Sequence, residues 1–195
     1  MNAKGSALLV DPHPCGHIVY PYTDEGLVGQ AVCLFASSGL RANEGVILIM
    51  SSDHCEPINL RLRLEGINVE AHERSGQLIC VTTEELLATF MRNGSLDEDM
   101  FRSAIRDMIH RVKRGENAPH GKVRVFGEMV SQLRGMDLKA TTRLEELWNE
   151  VIRDHSVSLL CTYALNDADD RIPEALTQLH SQSIERESSG VGQPA

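Results

Sequence analysis

The stretch His17-Ile18-Val19-Tyr20-Pro21-Tyr22-Thr23-Asp24-Glu25-Gly26-Leu27 decides the fold of this chain. Its first four residues read as a short buried strand, and a long apolar helix runs from Leu27 towards Leu40. Gly45-Val46-Ile47-Leu48-Ile49-Met50 follows as a second buried strand. Strand, tight loop, helix and strand open the P-loop fold, in which backbone N–H groups and a lysine cradle phosphates. The loop here has no lysine and no GxxxxGK[ST] pattern. Asp24 and Glu25 fall instead in the first helical turn, where carboxylates suit the positive end of the helix dipole and oppose a phosphate. A nucleotide-binding frame with a loop that disfavours nucleotide points to a sensory or binding module rather than an ATPase.

Working outward, Ser51-Ser52-Asp53 offers caps for a helix that carries Pro57 in its first turn and stops at Gly66. Residues 67–71 alternate like a strand, and Leu78-Ile79-Cys80-Val81 is another short apolar strand. Thr82-Thr83-Glu84-Glu85 opens a helix to Met91, and Asp97 caps an amphipathic helix through Phe101, Ile105, Ile109 and Val112. A polar loop at 115–121 precedes the strand Lys122-Val123-Arg124-Val125-Phe126, then Gly127-Glu128-Met129. Helical segments carry Leu133, Met136, Leu144, Leu147, Trp148 and Ile152, and a strongly apolar strand covers residues 156–163. A last short helix is expected at 173–180. Strands in near-continuous apolar runs alternating with helices predict an α/β domain, its mostly parallel sheet covered on both faces. The expected organisation is a flexible arm at 1–14, one domain at 15–180 and a polar, disordered tail at 181–195.

The 195 residues suffice for one domain with a sizeable core, and a net charge of −9 argues against a nucleic-acid surface. Five scattered cysteines fit a reducing cytoplasm better than a disulfide scaffold. The apolar run at 7–10 is too short for a signal peptide or a membrane span.

The ordered set of motifs resembles the MEDS domain, the sensory domain of the dichloromethane-responsive regulator and a relative of the RecA/KaiC-type ATPases. The likeness rests on His17-Ile18-Val19-Tyr20 with Tyr22-Thr23-Asp24-Glu25, Phe35 with Ser38-Gly39-Leu40, and Gly45-Val46-Ile47-Leu48. It continues in Arg124-Val125-Phe126-Gly127-Glu128-Met129, Leu144-Glu145-Glu146-Leu147-Trp148-Asn149 and Leu159-Leu160-Cys161-Thr162-Tyr163. The resemblance implies a three-layer RecA-like fold with a degenerate P-loop. It also implies a non-enzymatic domain that senses a small organic compound and signals through a transcriptional regulator or histidine kinase. One departure stands out: the family's first strand usually carries a His-x-Cys pair, whereas Val19 follows His17 here and Cys15 precedes it.

Ligands in open α/β sheets bind at the carboxyl edge of the strands. The candidate ligand-binding residues are therefore His17, Tyr20, Tyr22, Glu128 and Tyr163, which one switch-point crevice would gather. Glu128 has as its bland alternative a pairing with Arg124 or Arg134, and the tyrosines have simple packing. His13-Pro14-Cys15-Gly16-His17 is a weak metal candidate through Cys15 and His17, without a distant partner motif, and Asp53-His54-Cys55 is weaker still. No cofactor and no membrane partner are implied, and a homodimer is possible. The competing readings are a degenerate ATPase that still holds nucleotide, a pure interaction subunit, and a metal or redox sensor built on Cys15 and His17.

Overall fold

The computed structural model describes residues 1–92, 94–115, 121–134, 137–167 and 170–185. Its elements in chain order are α1 (Ala3–Val10), β1 (His17–Tyr22), α2 (Glu25–Arg41), β2 (Gly45–Met50), α3 (Ser52–Leu64), α4 (Val69–Arg74) and β3 (Leu78–Thr82). There follow α5 (Thr83–Phe90), β4 (Met91–Arg92), β5 (Ser95–Leu96), α6 (Glu98–Lys113), β6 (Val123–Gly127) and α7 (Met129–Arg134). The chain closes with α8 (Leu138–His155), β7 (Val157–Ala164), α9 (Glu174–Thr177) and β8 (Gln182–Ser183).

Six strands form one sheet in the order β3-β2-β6-β7-β1-β8, and every pairing in it is parallel. Every residue of β2 and β6 is buried, as a central parallel strand requires when helices cover both of its faces. Alternation along the strands divides the core in two. Val19, Ile47, Val125, Leu159, Cys161 and Tyr163 face α5, α6 and α8, whereas Ile18, Tyr20, Tyr22, Leu48, Phe126 and Leu160 face α2 and α3. This three-layer α/β architecture is consistent with a RecA-like fold.

Local chemistry starts the helices where the sequence signals them. The Asp24 carboxylate accepts from the N–H groups of Gly26 and Leu27 and so fills the anion position at the start of α2 with its own side chain. Thr82 and Glu85 close a capping box on α5, and Asp97 caps α6.

The structure differs from the local expectations at four points. The arm expected to be flexible contains α1, because Leu9 is buried and Arg124 reaches its last carbonyls, those of Leu9 (2.8 Å) and Val10 (3.0 Å). Arg124 pairs with Glu44 rather than Glu128, and its path along α2 is open because Gly39 has no Cβ there: one would lie 2.7 Å from the Arg124 Cδ. The expected strand at 67–71 is instead the start of α4, which Asn68 caps by accepting from the Ala71 N–H at 3.0 Å. The expected tail begins as β8, which pairs with Ile18 and Val19 of β1. The rest of that tail from 186, the centre of the polar loop at 116–120, Met136 and any pairing through the Arg134 side chain lie outside the described residues.

Candidate functional site

The expected single crevice is two clusters, one at the sheet's carboxyl edge and one beneath α8 on the opposite face. Register explains the division. Glu128 follows β6 directly and turns to the start of α3, while Tyr163 of β7 points to the α8 face and Tyr22 to the α2 face.

The outer cluster is centred on His54. Its Nδ1 lies 2.6 Å from Glu128 Oε1 and its Nε2 lies 2.7 Å from Glu25 Oε2. Both ring nitrogens thus face carboxylates, so the ring is the imidazolium form with two N–H donors. The hydrogen bond to Glu128, against the opposing effect of burial and with the charges of Glu128 and Glu25, raises the His54 pKa to about 9. The other Glu128 oxygen accepts from the Ser51 N–H at 2.6 Å. Burial, then the negative charges of Glu128 and Glu25, push the Tyr22 phenol up. The outer cluster therefore ties the ends of β2 and β6 to the starts of α2 and α3, with each polar atom of His54 already engaged.

The inner cluster is built around Glu145, which lies on the buried face of α8 between Leu144, Leu147 and Trp148 and is fully buried. Its Oε2 is 3.3 Å from His17 Nε2, and its Oε1 is 3.3 Å from His180 Nε2 and accepts the Tyr163 hydroxyl proton. Cys161 completes the group, with its sulfur 3.4 Å from His17 Nε2. The two imidazole rings are 4.1 Å apart between centroids. Burial alone would raise the Glu145 carboxyl, but His17 and His180, whose ring nitrogens face its two oxygens, outweigh it and hold its pKa at about 2. Burial and the adjacent Glu145 charge push the Cys161 thiol well up.

Backbone pairing places the two histidines together. The Ser181 N–H donates to the His17 carbonyl at 2.9 Å and the His17 N–H to Ser181 Oγ at 2.9 Å. The segment after α9 is thereby laid along β1, and His180 comes to rest against His17. His17 opens its strand, so it lies at the amino end of β1, not near the carboxyl mouth. Cys161 stands across from Val19 in register, so a thiol one strand over occupies the level where the resemblance leads one to expect a cysteine. Cys15 lies outside the cluster: it is exposed, in a left-handed turn with φ of 65°.

Of the residues that sequence reasoning singles out, His17 and Tyr163 meet in the inner cluster, Tyr22 and Glu128 in the outer one, and Tyr20 is a core residue on the α2 face. Sequence reasoning does not single out Glu145, Cys161 or His180, and it names His54 only within the weak metal candidate Asp53-His54-Cys55. For Glu145 a signal existed, a carboxylate at a core position of an amphipathic helix. For His180 none did, since its place depends on β8 pairing.

A cavity of about 170 Å³ is lined by Val19, which stands in register with Cys161, and by Pro21, Leu165, Ile172, Thr177 and Ser183 together with Arg171. A larger depression of about 750 Å³ opens at the opposite, amino edge of the sheet, but its cationic residues are already held. Arg124 is bound to Glu44 and three backbone carbonyls, and Arg41 donates to the Glu65 carbonyl at 2.7 Å. The smaller cavity is the better candidate because its walls are mainly apolar and its Val19 stands in register with Cys161 of the inner cluster.

Comparison with curated proteins gives no match. A family model described as MEDS, the methanogen/methylotroph, DcmR sensory domain, matches residues 16–181. The chain belongs to this family of sensory domains.

Proposed function

We propose that this MEDS-family chain is a non-enzymatic sensor: it binds a small, partly apolar organic molecule in the smaller cavity and signals occupancy to a partner protein. The observation that carries the reading is a mainly apolar cavity whose Val19 stands in register with Cys161 and two residues along β1 from His17. Small-molecule sites combine apolar walls with a few polar groups, and this cavity sets Val19, Pro21, Leu165 and Ile172 beside Thr177, Ser183 and Arg171. Its volume of about 170 Å³ suits a molecule of a few heavy atoms and is far too small for a nucleotide. The family's sensory assignment supports the same class of ligand. The partner would be a regulator or histidine kinase in the cytoplasm; no helix among the described residues is long and apolar enough to cross a membrane.

In this reading Val19 and Thr177 meet the ligand body, while Tyr22 and Glu128 belong to the rim on the other face of the sheet. Calorimetric titration with dichloromethane and short-chain alcohols tests the reading. Saturable binding is expected, lost in Thr177→Trp, which fills the cavity from its exposed side. Mg-ATP is expected to show no binding at millimolar concentration, because Asp24 already occupies the N–H groups that would hold phosphate. A micromolar dissociation constant for Mg-ATP, or organic-probe binding indifferent to Thr177→Trp, would overturn it.

A further inference from the structure

We propose that His17, Glu145, Cys161 and His180 form a site for one divalent cation of the zinc class. The inference is independent of the cavity's ligand and stands on the convergence of four donors. One atom from each residue, an imidazole nitrogen, a carboxylate oxygen, a thiol sulfur and a second imidazole nitrogen, lies within 4.8 Å of all the others. Those are the ligand types zinc takes, and zinc at its usual bond lengths of about 2.0–2.3 Å puts tetrahedral donors roughly 3.3–3.7 Å apart. Three contacts, taken over both Glu145 oxygens, are of that size: 3.3 Å from His17 Nε2 to Glu145 Oε2, 3.4 Å from His17 Nε2 to Cys161 Sγ and 3.3 Å from His180 Nε2 to Glu145 Oε1. Cys161 Sγ lies 3.9 Å from Glu145 Oε2.

The outer nitrogens of the two rings carry the second half of the argument. His180 Nδ1 is 2.9 Å from the Leu176 carbonyl, which can only accept, so Nδ1 bears a proton. His17 Nδ1 is 3.0 Å from Asn149 Oδ1, and the Asn149 amide is oriented by donating its Nδ2–H to the Leu179 carbonyl at 2.9 Å. His17 Nδ1 therefore also bears a proton. Each ring is thus pinned through Nδ1–H and aims Nε2 at the common centre, the arrangement that orients metal-bound histidines. Nε2 of His180 has no hydrogen-bond partner although its side chain is 1% exposed, since the nearby Glu145 oxygen is off the hydrogen-bond direction. Tyr163 plays the matching part for the carboxylate by donating to Glu145 Oε1.

Charge agrees with geometry. A thiolate and a carboxylate together carry two negative charges, so a divalent cation makes the buried group neutral, and the cost of isolating charge from water is avoided. The outer cluster has no such capacity, because His54 spends its two nitrogens on two different carboxylates and offers no convergent point.

Titration of the full chain, first stripped with a chelator, with Co²⁺ and then Zn²⁺ tests the site. One Co²⁺ per chain is expected, with the intense visible bands of tetrahedral cobalt and a sulfur-to-cobalt charge-transfer band, both displaced by Zn²⁺. Cys161→Ser is expected to remove the charge-transfer band, and His180→Gln to weaken Co²⁺ binding at least tenfold. Asn149→Ala, which frees the His17 ring without touching a donor, is expected to weaken it about tenfold. Cys15→Ser and Cys55→Ser are expected to change nothing. Circular dichroism confirms that each variant is folded, and should Cys161→Ser not fold, His180→Gln and Asn149→Ala decide. Absence of saturable Co²⁺ uptake by the parent chain, or a charge-transfer band that survives Cys161→Ser and disappears with Cys15→Ser or Cys55→Ser, would overturn the proposal.

Discussion

At the rim, His54 is held between Glu128 and Glu25; beneath α8, Glu145 is held between His17 and His180. The same two chemistries are arranged in inverse order, and their capacities differ accordingly. The rim imidazole has two nitrogens on opposite sides of its ring, so each meets its own carboxylate and the contact is a bridge between strand ends. The inner carboxylate has two oxygens on one carbon, so the groups it attracts are brought to one point. Solvent widens the difference: the Glu25 side chain is 65% exposed, while that of Glu145 is wholly buried. A bridge at the surface fastens loops, whereas a convergent buried set, with a nitrogen left over, is able to take a further group.

The contrast is broken most forcefully by removing Glu145. Glu145→Ala leaves the two inner imidazoles without their counter-charge and the Tyr163 hydroxyl without its acceptor, and is expected to destabilise the fold by about 3–5 kcal/mol in chemical denaturation. A loss below about 1 kcal/mol would mean that the inner group is no more coupled than the rim.

A smaller and differently shaped effect is expected at the rim. His54 has its pKa raised from 6.5 to about 9, so the folded state binds its proton more tightly than the unfolded state does. Its contribution is therefore fully present below pH 6.5 and is lost as pH rises through about 9. Measured against His54→Gln, the parent's advantage should be on the order of 1 kcal/mol at pH 6, reduced by solvent screening, and close to zero above pH 9. An advantage that grew with pH would contradict the assigned ion pairs.

Much of this architecture is legible in residue order. The apolar runs at β2, β6 and β7 predict a sheet covered on both faces, and Asp24, Thr82 and Asp97 announce their helices by capping chemistry that is purely local. Where the reading fails, the deciding contact is distant in sequence. Residues 67–71 alternate like a strand, but the Asn68 cap and the single buried Val69 suit a short helix. The first residues look unanchored until Arg124 is seen to reach the end of α1 from a strand more than a hundred residues away. For the inner cluster, strand position singles out His17 and Tyr163, but the carboxyl-edge argument misplaces His17, which opens β1. Glu145 is visible only as a charge on an apolar helix face, and His180 depends on the pairing of β8 with β1. The shared crevice fails because strand alternation sends Tyr163 and Tyr22 to opposite faces, a consequence of period two that the list of strand ends conceals.

The central claim is that the inner cluster, not the rim, reports an occupied cavity. Imidazole ¹H–¹⁵N spectra of the ¹⁵N-labelled chain, recorded during titration with dichloromethane at constant pH, test it most directly. The rings of His17 and His180 are predicted to shift saturably while His54 stays in place; a shift of His54 with His17 and His180 unmoved would contradict the account.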